Sequence, residues 1–416
     1  MRYWTRMNKA KKKSAMPSKE TIAELLTRGI EDVIVREHLE HALQSGKRLR
    51  IKHGIDPTGP NIHIGRAISL WKLKAFQDLG HTIVLIIGDF TAQIGDPSDK
   101  LAKRPFITEA QIKKNLSGYL AQIGKIIDLK KAEIAYNSKW LAKLTLLETA
   151  KLAESFSVQQ ILARRNFRDR LERQEDISLR ELLYPLMQGY DSVAIEADVE
   201  IGGADQLFNL HAGRAIQQHY GKPQQDILTT QMLEGLDGRK MSTSWGNVVN
   251  ITDPPADMYG KIMSLHDDII SKYYLLCCPH LSLAEISGLI DTMKQGNLSP
   301  RDAKMRLAKE MVSLYYGTAK AEAAEAEFAR IFQKKEAPSE MPEYALPKSF
   351  GIIDLMEIGG FAESKTEAKR LVEQGAVSFD GKEVKDWRMT ISEADVGASA
   401  ILQVGKRRFA RFRKPA

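Results

Sequence analysis

Four short segments carry side chains whose types and spacing suit chemistry. In Asp56-Pro57-Thr58-Gly59-Pro60-Asn61-Ile62-His63-Ile64-Gly65-Arg66, a loop leads into a helix that starts near His63. A helix N-terminus presents free N–H groups and partial positive charge, which suits phosphate. Gly65 lets a nucleotide approach the backbone, and His63 can donate to a phosphoryl oxygen. A loop histidine beside a capped helix would give the same H-x-G. In Gly235-Leu236-Asp237-Gly238-Arg239-Lys240-Met241-Ser242-Thr243-Ser244, cations and hydroxyls sit on a glycine-flanked loop. Such a loop can close on a pyrophosphate and stabilise charge in a transition state; a basic surface turn would look alike. Tyr184, Gln188 and Asp191 fall at i, i+4 and i+7, one face of a helix. That face can grip a polar small molecule or stand as a solvated stripe. Gly202-Gly203-Ala204-Asp205-Gln206 puts glycines ahead of a helix expected near Ala204.

Several other chemistries find no support. There is no G-x-x-x-x-G-K-[ST] loop, G-x-G-x-x-G fingerprint, H-E-x-x-H or G-x-S-x-G elbow. P-loop, nicotinamide, zinc-protease and serine-hydrolase chemistry are disfavoured, and no protein metal site is expected.

The elements that must position these residues follow a βαβ pattern. Residues 50–56, RIKHGID, read as a strand, residues 63–79 as an amphipathic helix, and residues 82–89, TIVLIIGD, as a strand buried on both faces. Residues 132–136 and 226–230 are further strand candidates, with a helical stretch over 141–195 between them. The expected fold class is α/β, a Rossmann-like doubly wound parallel sheet followed by an α-helical domain and a small α+β domain. The helical part covers 254–335. Residues 336–349, EAPSEMPEYALPKS, hold three prolines and read as a linker. In 350–416, Ser364 and Glu367 fit a capping box, and Asp380-Gly381 fits a type I′ hairpin turn.

Composition bounds the partners. The chain has 416 residues, enough for about three domains of ~150. No run of about 18 apolar residues exists, so no membrane span is expected. The two cysteines, Cys277 and Cys278, are adjacent and form no disulfide framework, which points to a reducing, cytoplasmic setting. The net charge of +8 is concentrated at the ends. Residues 1–19 form a basic tail without acids, and residues 406–416 carry Lys406, Arg407, Arg408, Arg411, Arg413 and Lys414. Lys365, Lys369 and Arg370 add one basic helix side. Basic ends suit a polyanion such as RNA, though solvated tails look similar.

Taken in order and with their separations, the four motifs resemble those of the bacterial-type tyrosyl-tRNA synthetases, class I enzymes. Residues 63–66 stand where that family has H-I-G-H, and residues 240–244 where it has K-M-S-K-S. Residues 88–98 and 184–191 are similar to its tyrosine pocket, and residues 350–416 to an S-four-like RNA-binding module. The resemblance implies a tyrosine–tRNA ligase that makes tyrosyl-adenylate from tyrosine and ATP, then charges tRNA. It makes 20–253 the catalytic domain, with a helical insertion about 141–180, and 254–335 the anticodon-region domain. It implies that His63, Arg66, Lys240 and Thr243 act in activation. Gly54, Asp56, Thr58, Gly65, Asp205, Ser242 and Ser244 would join His63 and Lys240 around ATP and the adenylate. Asp96, Tyr184, Gln188 and Gln206 would hold tyrosine, and Asp191 its phenol hydroxyl. A buried group meant for that hydroxyl is left unpaired by phenylalanine, a rule that enzymes of this family themselves exemplify. Lys365, Lys369, Arg370, Arg407, Arg408 and Arg411 would face tRNA. Mg2+ would arrive with ATP, no cofactor would be tightly bound, and the chain would be a homodimer through part of 141–180.

Three positions depart from the family pattern. Arg66 replaces a histidine, Thr243 replaces a lysine, and Lys52 stands where some relatives have a second phenol-binding tyrosine. Arg66, with Arg239 as a further candidate, is expected to supply the phosphate stabilisation that Thr243 cannot. An RNA-binding protein without activity, or a ligase for another aromatic amino acid, are the alternatives.

Overall fold

The computed structural model describes residues 16–98, 107–332, 341–347, 349–392, 396–405 and 408–414. The basic residues at 1–15, the first part of the expected linker (336–340), and Lys406 and Arg407 lie outside the described residues. The chain divides into two compact units, one ending at Ala321 and the other beginning at Glu322.

The first unit is built on six strands: β1 (Ile30–Ile34), β2 (Arg50–Ile55), β3 (Thr82–Ile87), β4 (Glu133–Tyr136), β5 (Val199–Gly203) and β6 (Asp226–Thr230). Their order is β1-β6-β5-β2-β3-β4. Five run parallel and only the edge strand β1 is antiparallel. All six residues of β3 are buried, as expected for a strand covered on both faces. From β2 the chain steps outward through β3 to β4, then returns to lay β5 on the other side of β2. The strand order therefore reverses between β2 and β5, and ligands of open α/β sheets bind at the carboxyl edge of such a reversal.

Two strands of this sheet escaped the sequence reading. β1 (IEDVI) carries two acids at its centre and pairs only at the sheet's edge. β5 (VEIGG) ends on the two glycines that were expected to open a helix; Ala204–Gln206 is a single 3-10 turn, and the helix is Leu207–His219.

Helices pack on the sheet according to their end signals. The Ile64–Asp78 helix is capped by His63, and the chain leaves it through Gly80 at φ +92°. The Leu179–Ala194 helix opens with a full capping box between Ser178 and Glu181. It lies so close to the Leu207–His219 helix that a Cβ on Gly189 would stand 2.7 Å from Ile216 Cδ1 and 2.9 Å from the Ala212 backbone. Helices Pro255–Met263, Ile270–Cys277, Leu283–Lys294, Pro300–Tyr316 and Thr318–Phe332 follow the sheet.

In the second unit, β7 (Glu343–Ala345), β9 (Val377–Phe379), β10 (Lys382–Glu383), β12 (Ser399–Val404) and β13 (Arg408–Arg413) form a sheet in the order β10-β9-β12-β13-β7. β8 (Ser349–Gly351) pairs with β11 (Thr390–Ser392). β7 lies inside the segment read as a linker. Its parallel pairing with β13 recruits it into the sheet despite the surrounding prolines. Asp380 and Gly381 both adopt positive φ, as a type I′ turn requires. Ser364 caps the Lys365–Glu373 helix, but Glu367 returns its carboxylate to the Glu363 N–H rather than to Ser364.

Candidate functional site

One cavity of about 460 Å³ opens at the carboxyl edge of the sheet, over the reversal between β2 and β5. Gly54, Asp56, Thr58, His63, Gly65 and Arg66 line it from β2 and the helix after it. Asp96, Tyr184, Gln188 and Asp191 line one end, and Asp205, Gln206, Lys240, Ser242 and Thr243 complete it. Ser244 lies in the same turn as Thr243, and its side chain is outside the described set.

At the nucleotide-like end, His63 is 8% exposed. Burial, with Arg66 and Lys240 nearby, pushes its pKa down to about 3, so the ring is neutral at physiological pH. Its Nδ1 accepts from the Arg66 N–H at 3.3 Å. The proton therefore sits on Nε2, which becomes a donor for an oxyanion. A Cβ on Gly65 would stand 3.1 Å from His63 Nδ1, so a side chain here would crowd the imidazole ring. Lys240 Nζ pairs with Asp205 Oδ2 at 2.9 Å. Asn247, not anticipated from the sequence, shapes the loop that carries Lys240. Its Nδ2 donates to Asp237 Oδ1 (2.6 Å) and to the Lys240 carbonyl (3.1 Å), and its Oδ1 accepts from the Ser242 N–H (2.8 Å). The Asn247 bond, then Arg239, hold Asp237 down to a pKa of about 2. Arg66 Nη1 donates to the buried Tyr119 hydroxyl at 2.8 Å. Arg239 does not line the cavity: it turns back onto Asp237 and the Trp245 ring, a correction to its expected phosphate role.

The other end is a hydrogen-bonded acid pocket. The Tyr184, Gln188 and Asp191 face, open to reading as a solvated stripe, is buried at all three positions. Tyr184 donates its hydroxyl proton to Asp56 Oδ2 at 2.9 Å, leaving its oxygen lone pairs to accept from a cation. Burial, then Asp56 and Asp96, raise the Tyr184 pKa well above the ordinary phenol range. Asp56 is also held by Thr91 Oγ1 at 2.7 Å, and any Cβ on Gly88 would overlap both groups. Asp96 accepts from Gln206 Nε2 (2.6 Å), from Asn209 Nδ2 (3.3 Å) and from the Ser98 N–H (2.9 Å). Asp191 accepts from Trp140 Nε1 at 2.7 Å and from Asn137 Nδ2 at 3.3 Å. Burial lifts its pKa to about 7 against the opposing pull of Lys52, Trp140 and Asn137.

Asn137, Trp140 and Asn209 were missed because each is a single polar or aromatic residue outside any motif. A usable signal exists for Asn137: it directly follows β4, at the carboxyl edge where such sheets bind ligands. Among the described residues, no group of three or more His, Cys, Asp and Glu side chains is arranged to hold a metal ion.

In the second unit, Lys365 and Arg370 are exposed, and Lys369 Nζ lies 4.0 Å from the Trp387 ring centroid. Arg408 and Arg411 are engaged within the unit itself. Arg408 donates to the Phe361 carbonyl (2.6 Å), and Arg411 pairs with Glu343 (3.0 Å).

Residues 44–333 match the model of tRNA synthetases class I (W and Y), and residues 333–412 match that of the tyrosine–tRNA ligase SYY-like C-terminal domain. The tyrosine–tRNA ligase of Thermotoga maritima is 44% identical over 394 residues, covering 94% of this chain and 97% of that protein. That of Moorella thermoacetica is 44% identical over 394 residues, with coverages of 93% and 94%. The fold is shared with the tyrosyl-tRNA synthetase of Archaeoglobus fulgidus crystallised with L-tyrosine. Its TM-score is 0.62 at 24% identity, covering 74% of this chain and 99% of that one. On the extent of these matches, the chain belongs to the class I tRNA synthetases of the W and Y group.

Proposed function

We infer that this chain is a tyrosine–tRNA ligase. One observation carries the reading: Asp191, a buried carboxylate fixed by two donors, lines the same cavity as His63 and Lys240. A buried carboxylate lining this cavity suits a phenol hydroxyl. Phenylalanine, lacking it, leaves the acid without its substrate partner.

The chemistry proceeds in two steps. The tyrosine carboxylate attacks the α-phosphate of ATP in line, the bond to the β-phosphate oxygen breaks, and pyrophosphate leaves. The terminal ribose hydroxyl of tRNA(Tyr) then attacks the tyrosyl carbonyl and AMP departs. No enzyme nucleophile is required, so the protein contributes positioning and charge stabilisation. Neutral His63 donates from Nε2 to the phosphates, and Lys240 and Arg66 offset charge on the departing pyrophosphate. Thr58, Ser242, Thr243 and Ser244 add donors, Gly54 and Gly65 give room, and Asp205 orients Lys240 and contacts the adenylate. Asp56 fixes the Tyr184 hydroxyl; Tyr184, Gln188, Asp96 and Gln206 take the tyrosine ammonium. Mg2+ enters as part of the ATP substrate.

The chain works in the cytoplasm as a homodimer. Leu146 (87% exposed), Leu147 (66%), Val158 (57%) and Leu179 (80%) give the helical insertion an apolar surface that supports this arrangement. No helix among the described residues is long and apolar enough to cross a membrane. Lys365, Lys369 and Arg370 face tRNA, with Arg408 and Arg411 shaping that surface from within the unit.

The test is ATP–pyrophosphate exchange driven by tyrosine, tryptophan or phenylalanine. Exchange with tyrosine alone is expected. Exchange driven best by tryptophan would move the chain to the other branch of the group, and none at all would leave an RNA-binding scaffold.

A further inference from the structure

Below the amino-acid end of the cavity lies a charged pair with no role so far. Lys52 is 0% exposed and sits in β2 on the face that also presents Gly54 and Asp56. An ammonium has three N–H donors, and each of these finds an acceptor. Its Nζ lies 2.8 Å from Glu200 Oε1 in β5, 2.8 Å from the Gln188 carbonyl and 2.7 Å from Ser192 Oγ. Glu200, 1% exposed, accepts in turn from Gln188 Nε2 (3.2 Å), Ser192 Oγ (3.2 Å) and Gln225 Nε2. The pair thus grips Gln188 twice, by its carbonyl and by its side-chain amide. Gln188 stands one helical turn before Asp191. Glu200, Gln188 and Asp191 line the cavity, whereas Lys52 stands behind them. Two buried charges add little stability over an apolar pair of similar volume. Their cost is offset by function if they hold the pocket in one arrangement.

We propose that the Lys52–Glu200 pair is a positioning device for selection of tyrosine: it fixes Gln188 and keeps a positive charge beside the Asp191 carboxylate. The groups facing Asp191 are Lys52 and Glu200 from the sheet and Asn137 and Trp140 from the segment after β4. Lys52 is the cation among them and favours the ionised acid; Glu200 opposes it more weakly, so losing both charges leaves the loss of Lys52 dominant. The proposal rests on the reading of Asp191 as the phenol-binding group.

The experiment uses the full chain with Lys52→Met/Glu200→Gln, which removes both charges together and so leaves none buried alone. Pyrophosphate exchange is measured with tyrosine and with phenylalanine between pH 6 and 9. The double variant should raise the KM for tyrosine about tenfold, the size of one lost charge-assisted hydrogen bond, with little change in kcat or in the KM for ATP. The tyrosine-over-phenylalanine ratio should fall by a similar factor. The acid limb of kcat/KM for tyrosine should move to higher pH, a shift that a merely structural pair would not produce. Ser192→Ala, which removes one acceptor of Lys52 and one donor to Glu200 but neither charge, should weaken tyrosine about threefold and serves if the double variant does not fold. Wild-type tyrosine KM, ratio and pH profile in the double variant overturn the proposal, as does a wild-type KM in Ser192→Ala. Asp191→Asn separates the two layers. If it leaves the ratio unchanged, the reading beneath has failed; if it collapses the ratio while the double variant does not, only the proposal has.

Discussion

Removing Arg170 should loosen the helix that carries the amino-acid pocket, and the size of the effect follows from its burial. Arg170 and Glu181 are each 0% exposed. The guanidinium meets the carboxylate in a fork, Nη1 to Oε1 at 2.9 Å and Nη2 to Oε2 at 3.1 Å. Glu181 also accepts from the Ser178 N–H at 3.0 Å, which closes the first turn of the Leu179–Ala194 helix. Arg170→Met strands that carboxylate in the interior. Leaving one partner of a buried pair uncompensated costs about 3–5 kcal/mol, a large part of a typical 5–15 kcal/mol stability. A chain of two compact units need not unfold in one step, so the measurement is hydrogen exchange at the amides of this helix. Their exchange should speed up by about 10²–10⁴-fold at pH 7. Arg170→Met/Glu181→Leu, with no charge left, should recover most of the protection. The pH dependence adds a check of sign. Burial pushes the Glu181 carboxyl up, yet the Arg170 fork and the Ser178 N–H hold it below its ordinary 4.5. The unfolded chain therefore takes up the proton first. This stabilisation is complete above about pH 4.5 and is lost as pH falls through the lower folded value. In Arg170→Met the fork is gone and burial is opposed chiefly by the Ser178 N–H, so the carboxyl pKa rises and protection should instead improve on acidification. Unchanged exchange in the single variant, or a double variant no better than the single, refutes the reasoning.

Four further outcomes are expected. Asp191→Asn should lower the tyrosine-over-phenylalanine ratio of kcat/KM by about 10–100-fold, the worth of a charge-assisted bond. In the wild type that ratio should rise through about pH 7 as Asp191 ionises, so a ratio flat from pH 6 to 8 counts against the assignment. Arg66→Ala should slow adenylate formation by about tenfold or more in single-turnover assays, and near-normal pyrophosphate exchange would show that Arg66 does not stand in for the cation missing at Thr243. Gly189→Ala should cost the Leu179–Ala194 helix about 1–3 kcal/mol, read as faster hydrogen exchange at its amides, because the added methyl meets Ala212 backbone at 2.9 Å. Leu146→Asp/Leu147→Asp should give a monomer in sedimentation; a dimer that persists would place the interface elsewhere.

What the sequence disclosed and what it withheld divide along a physical line. The apolar run of β3 and the cap at His63 are local signals, because a strand covered on both faces and a helix end each write themselves into a few adjacent residues. The motif residues also share a local cause: Asp56 follows β2 and Asp205 follows β5, so each stands where the chain leaves the sheet's carboxyl edge. β5 stayed hidden because Glu200 within it contradicts a buried strand until Lys52 is brought beside it from β2. Arg408 and Arg411 show the opposite case. As letters they are cations free for a polyanion, whereas in the fold they meet the Phe361 carbonyl and Glu343. A charge's partner is a long-range fact, and one sequence holds no trace of it.

The same division explains how the cavity separates its two tasks. Near His63 the backbone is shaped largely by neighbours in sequence, His63 by Arg66 and the Lys240 loop by Asn247, with Asp205 the distant partner of the Lys240 ammonium. Such a loop can change shape without disturbing the sheet, which suits a step that must admit ATP and release pyrophosphate. At the amino-acid end the groups are held from afar. Asp191 is fixed from the segment after β4, Tyr184 by Asp56, and Gln188 by Lys52 and Glu200 from two strands. Moving Gln188 breaks bonds to two strands, and moving Asp191 breaks bonds to the segment after β4. Discrimination between two amino acids that differ by one hydroxyl needs that rigidity, since a pocket able to relax would let the unpaired acid find another donor and the penalty on phenylalanine would fade. The strand-order reversal between β2 and β5 is what allows a rigid pocket and a movable loop to share one cavity.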